Sequence, residues 1–169
     1  MLTLRGVGVN PTRRAAIDLL VRMGARLNEV RSENAGASEA SGDAGEPVAD
    51  LTIRSSELHG IDIGPADVAG AIDEIPVLCL AATQARGKTT IRGAGELRNK
   101  ESDRIAGIAA GLGALGAHIS VDGDDMTIEG PTPLSGAALD TLDDHRLAMT
   151  FAVAGLIARG ATMWVFFHS

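Results

Sequence analysis

Two hydrophobic periods run along this chain, and they follow each other in a repeated order. In GELRNKESDRIAGIAAGLGALGA, Ile105, Ile108, Leu112 and Leu115 recur at spacings of three and four, which predicts a helix with one buried stripe. LTLRG, from Leu2, and TTIRG, from Thr89, read instead as short strands. Each strand runs into an R-G-x-G turn, an amphipathic helix, a Gly-Ala pair and a strand of alternating character. Leu2–Val30 and Thr89–Val121 are therefore weak repeats of each other. A further strand and a turn-rich stretch follow each, in DLTIRSSELHGI and DMTIEGPTPLSGA.

A second pair of repeats links Ile72–Ile91 with Asp143–Val165. Both start acidic, continue as an apolar helix, close on Ala-Arg-Gly and pass into a strand. Gly87 and Gly160 stand where a helix C-terminus favours a left-handed residue. The repeating unit is a helix, a strand, a helix and two strands, present once whole and twice in part. That pattern predicts an α/β (α+β) fold in one domain over residues 1–169. After Gly160 the repeat requires a strand, another turn and another helix. The chain reads TMWVFFHS instead, so 161–169 is read as a truncated or altered end. SENAGASEASGDAGEP, residues 32–47, has no aliphatic residue larger than Ala apart from its closing Pro, and is read as a flexible insertion between two strands.

Composition narrows the function classes. With 45% hydrophobic and 22% charged residues the chain is globular, and with three Phe, one Trp and no Tyr its core must be built from small and aliphatic side chains. A net charge of −7 argues against general nucleic-acid or anionic-membrane binding, so an anionic ligand would need a local cationic cluster. Cys79 is the sole cysteine, which excludes an internal disulfide and fits a reducing compartment. It lies between Leu78 and Leu80, the place of a buried structural thiol. MLTLRGVG has no signal-peptide pattern and no apolar run is as long as a membrane span, so the expected location is cytoplasmic.

The chemistry concentrates at three helix starts. GELRNKESDRI places Lys100 and Arg104 four apart and Glu101 and Arg104 three apart, so on a helix both pairs share a face. Cations at a helix N-terminus oppose the macrodipole, which suits anion holding better than stability. DDHRLAM puts His145 and Arg146 in a first turn capped by Asp143 or Asp144. AIDEIP puts Asp73 and Glu74 just before Pro76, at the start of a buried helix. Taken singly, these runs also read as a solvated face, a capped helix with exposed basic residues and a capping Asp73. If the modules stack in parallel, their starts converge and collect Asp73, Lys100, Glu101, Arg104 and Arg146. Two carboxylates and three cations suit proton transfer on a doubly anionic substrate.

ID-EIPVL-x-LAA, ELR-x-KESDRI and DHRLAM, in that order, resemble the C-terminal half of the 5-enolpyruvylshikimate-3-phosphate synthase family over about Leu2 to Gly160. The resemblance implies one lobe of an inside-out α/β enolpyruvyl transferase-like fold, made of βαβαββ units with helix N-termini facing a cleft; here the third unit is incomplete. It implies transfer of the enolpyruvyl group of phosphoenolpyruvate to the 5-hydroxyl of shikimate 3-phosphate, in the shikimate pathway, with no metal or organic cofactor. Asp73 matches a substrate-binding carboxylate and hydroxyl base, and Lys100 matches a shikimate 3-phosphate contact. Glu101 matches the group exchanging a proton at the phosphoenolpyruvate methylene. Arg104 and Arg146 match a phosphoenolpyruvate clamp, and Asp144 an acidic group beside the reacting centre.

Asn99 stands where that family usually has Val, and the N-terminal lobe with its cations has no counterpart here. The missing lobe is the implied partner, and the chain alone is expected to be inactive. A non-catalytic anion-binding or structural repeat domain of the same fold is the competing reading. The sister transferase acting on a nucleotide sugar lacks the KESDR and DHR pair.

Overall fold

The computed structural model describes residues 1–31 and 47–165. Residues 32–46 of the expected insertion and 166–169 of the expected altered end lie outside the described residues. The first group of elements is β1 (Leu2–Gly8), α1 (Ala15–Arg22), β2 (Arg26–Arg31) and β3 (Val48–Arg54). Its strands form an antiparallel sheet in the order β1-β3-β2. The second group is β4 (Asp62–Ile63), α2 (Pro65–Gly70), α3 (Ile75–Thr83) and β5 (Gly87–Ile91), then a 3-10 turn (Gly95–Asn99), α4 (Arg104–Ala114), β6 (His118–Asp122) and β7 (Asp125–Gly130). Its sheet order is β4-β5-β7-β6, with β4 parallel to β5 and the other pairs antiparallel. The third group is β8 (Ala138–Asp140), α5 (His145–Ile157) and β9 (Met163–Val165), with β8 parallel to β9.

The internal repeat is visible in the topology. The order β1-β3-β2 recurs as β5-β7-β6, and β8 pairs with β9 across α5 as β4 pairs with β5 across α3. The two R-G-x-G segments have left-handed first glycines, Gly6 at φ 63° and Gly93 at φ 69°, a region that costs any residue carrying a Cβ. The first segment is no turn, however: it lies inside β1, at a register shift between Leu4 and Val7. Gly87 and Gly160 are left-handed as expected, at φ 92° and 90°. The hydrophobic pattern passes over α2, β4 and β8, because two to six residues are too few to display a period.

The main core lies between the helices and the second and third sheets. Ile105, Ile108, Leu112 and Leu115, the stripe expected on α4, are all fully buried. They join Ile75, Leu78 and Cys79 of α3 and Leu147, Phe151 and Ala154 of α5. The Phe151 ring packs over Gly111, where a side chain would overlap it. A small second cluster, Val9, Ala49 and Leu51, is packed by Ile17 and Leu27 on the first sheet.

Candidate active site at three helix starts

Each helix start is built differently. Pro76 suits the first turn of α3, which has no side-chain cap. Asp73 therefore does not cap the helix and is free to reach sideways. Asp103 caps α4 by accepting from the Ala106 N–H at 3.0 Å. Of the two candidates on α5, Asp144 is the cap, accepting from the N–H groups of Arg146 at 2.8 Å and Leu147 at 3.3 Å. Just before it, Leu142 and Asp143 lie at φ 52° and 54°, a left-handed pair whose strain accompanies the turn of Asp144 into the protein.

The three starts meet at Arg104. Its Nε donates to Asp144 Oδ2 at 2.7 Å, Nη1 to Asp73 Oδ1 at 3.1 Å and Nη2 to Glu101 Oε2 at 2.5 Å. Arg146 Nη2 takes the other oxygen of Asp73 at 3.0 Å, and its Nη1 lies 3.8 Å from Glu74 Oε1. Ser102 Oγ donates to Asp144 Oδ2 at 3.2 Å, and His145 Nδ1 stands 4.0 Å from Glu101 Oε1. Asp73, Glu101, Arg104, Asp144 and Arg146 are thus one connected group, drawn from α3, the KESDR segment and α5.

The group is not the open cationic floor expected from the sequence. Asp73 and Glu101 are 44% and 50% exposed, but Arg104 is 1% and Asp144 0% exposed. Lys100 is also placed differently. The chain is a 3-10 turn up to Asn99, Lys100 is extended, and helix begins only at Arg104, so Lys100 and Arg104 share no helical face. Lys100 Nζ pairs instead with Glu96 Oε1 at 2.5 Å. The contacts among Asp73, Glu74, Glu101, Asp144, Arg104 and Arg146 join four carboxylates to two guanidinium groups. That gives a net negative cluster, the reverse of the expected excess of cations.

Burial opposes the Arg104 charge, yet hydrogen bonds to Asp144 and Asp73 outweigh it and raise the guanidinium pKa above its ordinary value. Burial likewise opposes ionisation of Asp144, and the bonds from Arg104 and the Arg146 N–H hold its carboxyl below the usual range. Arg98 escaped the reading of the sequence as a positioning group. It donates from Nε to Asp124 Oδ1 at 3.0 Å, from Nη1 to Asp103 Oδ2 at 2.8 Å, and from Nη2 to the Gly123 carbonyl. It thereby ties the loop carrying Lys100 and Glu101 to the turn between β6 and β7. The signal for it, Asp124 in the Gly123-Asp124 turn, is distant in sequence.

A family model for EPSP synthase (3-phosphoshikimate 1-carboxyvinyltransferase) matches residues 1–165. The chain belongs to the EPSP synthase family. The 3-phosphoshikimate 1-carboxyvinyltransferases of Anaeromyxobacter sp. (strain Fw109-5) and Geobacter sulfurreducens are 49% and 50% identical to it over 94% and 95% of this chain. That of Roseiflexus sp. (strain RS-1) is 52% identical over 95% of it. In each case the match covers 35% of the relative, so the chain spans about a third of their length. The solved EPSP synthase of Acinetobacter baumannii superposes with a TM-score of 0.82 at 40% identity, covering 94% of this chain and 36% of that one. The enolpyruvyl transferase NikO of Streptomyces tendae shares the fold, with a TM-score of 0.65 at 23% identity over 96% of this chain and 34% of that one.

Among the described residues, no group of three or more His, Cys, Asp or Glu side chains is arranged to hold a metal ion. No helix among them is long and apolar enough to cross a membrane. Cys79 is buried, and burial pushes its thiol up to about 12, which makes it a packing residue and no nucleophile.

Proposed function

We propose that the chain is the C-terminal lobe of a 3-phosphoshikimate 1-carboxyvinyltransferase, a single domain of inside-out βαβαββ units with an incomplete third unit. In this reading it works with an N-terminal lobe to move the enolpyruvyl group of phosphoenolpyruvate to the 5-hydroxyl of shikimate 3-phosphate, releasing phosphate. The observation that carries the reading is the convergence of Asp73, Glu101 and Arg146 on Arg104 from three separate segments.

The chemistry needs a proton donor and a proton acceptor on one frame. The vinyl carbon becomes electrophilic when the methylene is protonated, the role given to Glu101. The attacking hydroxyl then gives its proton to Asp73 as its oxygen bonds to that carbon. Glu101 takes back a methyl proton as the carbon–phosphate oxygen bond breaks, which restores the vinyl group and releases phosphate. Arg104 binds both carboxylates with neighbouring nitrogens, so their separation is set by one rigid guanidinium. Arg146 and Arg104 are the proposed clamp for phosphoenolpyruvate, Arg104 only once the ligand displaces its exposed partners Asp73 and Glu101. Lys100 is the proposed contact for shikimate 3-phosphate, and Asp144 the acidic group beside the reacting centre.

The charge balance supports dependence on the second lobe. Four carboxylates against two guanidinium groups repel a dianion, so the extra cations must come from elsewhere. Met149, Val153, Leu156 and Ile157 leave an apolar face of α5 exposed, a surface that suits cover by further protein. Mixing the chain with the N-terminal lobe of the Geobacter sulfurreducens relative is the test, read as phosphate release dependent on both substrates. The chain alone should give none and the mixture some, abolished by Asp73→Ala. Turnover by the chain alone, or turnover of the mixture indifferent to Asp73→Ala and Arg146→Ala, would overturn the reading.

A further inference from the structure

A second group of cations lies on the first sheet, away from the helix starts. Arg26 of β2 and Arg54 of β3 stand directly opposite each other in the antiparallel register, with Asn28 opposite Thr52 two places along. Strand alternation puts these four on one face and Leu27 and Ile53 on the other. Arg26, Asn28, Thr52 and Arg54, with the edge of Leu27, line a shallow depression of about 150 Å³. Both arginines are exposed, and neither has a side-chain partner among the described residues.

Arg5, Arg13 and Arg159 also hold no carboxylate among the described residues, but Arg26 and Arg54 stand directly opposite each other in a strand register. Arg14, Arg22, Arg31, Arg86 and Arg98 each hold a carboxylate. In a protein of net charge −7, two unpaired arginines face each other at a cross-strand position where like charges destabilise the sheet. The nearest carboxylate along the same face of β3, Asp50, already accepts from the Gly6 N–H at 2.9 Å. Thr52 continues the polar surface to β1, its Oγ1 lying 3.2 Å from Thr3 Oγ1. Two guanidinium forks, a side-chain amide and a hydroxyl form a donor set for a tetrahedral oxyanion, and a dianion would cancel the opposed charges.

We propose that this depression binds a phosphate-class dianion, independently of the Arg104 cluster. The test is an amide NMR titration of the 169-residue chain at constant ionic strength, with sodium chloride, inorganic phosphate and glycerol phosphate in parallel. Saturable shifts at Arg26–Asn28 and Thr52–Arg54 with phosphate, absent with chloride, are expected. Saturation by phosphate alone identifies the free ion as the ligand, and saturation by both identifies a phosphomonoester site. Arg54→Thr should weaken phosphate binding by about tenfold, the loss of one charge-assisted contact. The same variant should melt higher than the parent in chloride, because the opposed charge is gone, and phosphate should no longer raise its melting temperature. Arg26→Gln provides a second variant with the same expectation. Shifts that do not saturate, that chloride reproduces, that persist in both variants, or that fall only on Asp73, Glu101 and Arg146 would overturn the proposal.

Discussion

Arg104 Nε donates to Asp144 Oδ2 at 2.7 Å, joining the starts of α4 and α5 across forty residues of sequence. Both groups are buried, so each is the other's main compensation for lost water. Asp144→Ala leaves a buried guanidinium short of one partner and should destabilise the chain by about 3–5 kcal/mol in urea unfolding. Glu101→Gln, at an exposed carboxylate, should cost far less.

Acid should weaken the fold through the same residue. Asp144 and Asp103 both have folded pKa values below their ordinary range, Asp103 because Ala106 N–H and Arg98 bonds outweigh burial. A depressed carboxyl contributes stability above its unfolded pKa and loses it as pH falls through the lower folded value. Melting temperatures followed from about pH 7 to about pH 3 should therefore decline, and Asp144→Asn should flatten the decline.

Gly111→Ala separates helix propensity from packing. Propensity alone favours alanine by about 1 kcal/mol. A methyl there would overlap the Phe151 ring, and such overpacking costs about 1–3 kcal/mol. A net drop in unfolding free energy is expected. Phe151→Ala, which empties the same contact, should cost about 3–5 kcal/mol.

The Cys79 thiol, buried and shifted up to about 12, should resist alkylation in native buffer and react only on unfolding. Rapid modification of the folded chain, followed by mass spectrometry, would contradict its place in the core.

Arg98→Ala should free the Gly95–Asn99 turn from Asp124 and Asp103 while leaving α4 formed. Amide exchange should quicken from Gly95 to Lys100 and stay slow from Ile108 to Leu112.

The repeat of short strand, glycine-bent R-G-x-G segment and amphipathic helix was legible in the residues, because hydrophobic period and glycine's backbone freedom are local properties. That the first segment continues β1 and does not turn was not. The buried stripe of α4 followed from its period, and the burial of Cys79 from its place in an apolar run between Leu78 and Leu80. The starts of the helices were not settled that way. Whether Asp73 caps α3 or reaches to Arg104 and Arg146 depends on what stands opposite, and those partners come from other modules. Lys100 failed as a helical neighbour of Arg104 because the 3-10 turn and the Arg98 latch delay the helix, and the latch depends on a distant hairpin.

Local order along the backbone was thus decided by neighbours in sequence, but the sign and exposure of the polar centre were decided by folding. Only docking α3, α4 and α5 together puts acids from three segments around one guanidinium and seals it from water. Sequence order sets which groups are available; packing sets which of them meet, because charge pairing over a few ångströms is blind to separation along the chain.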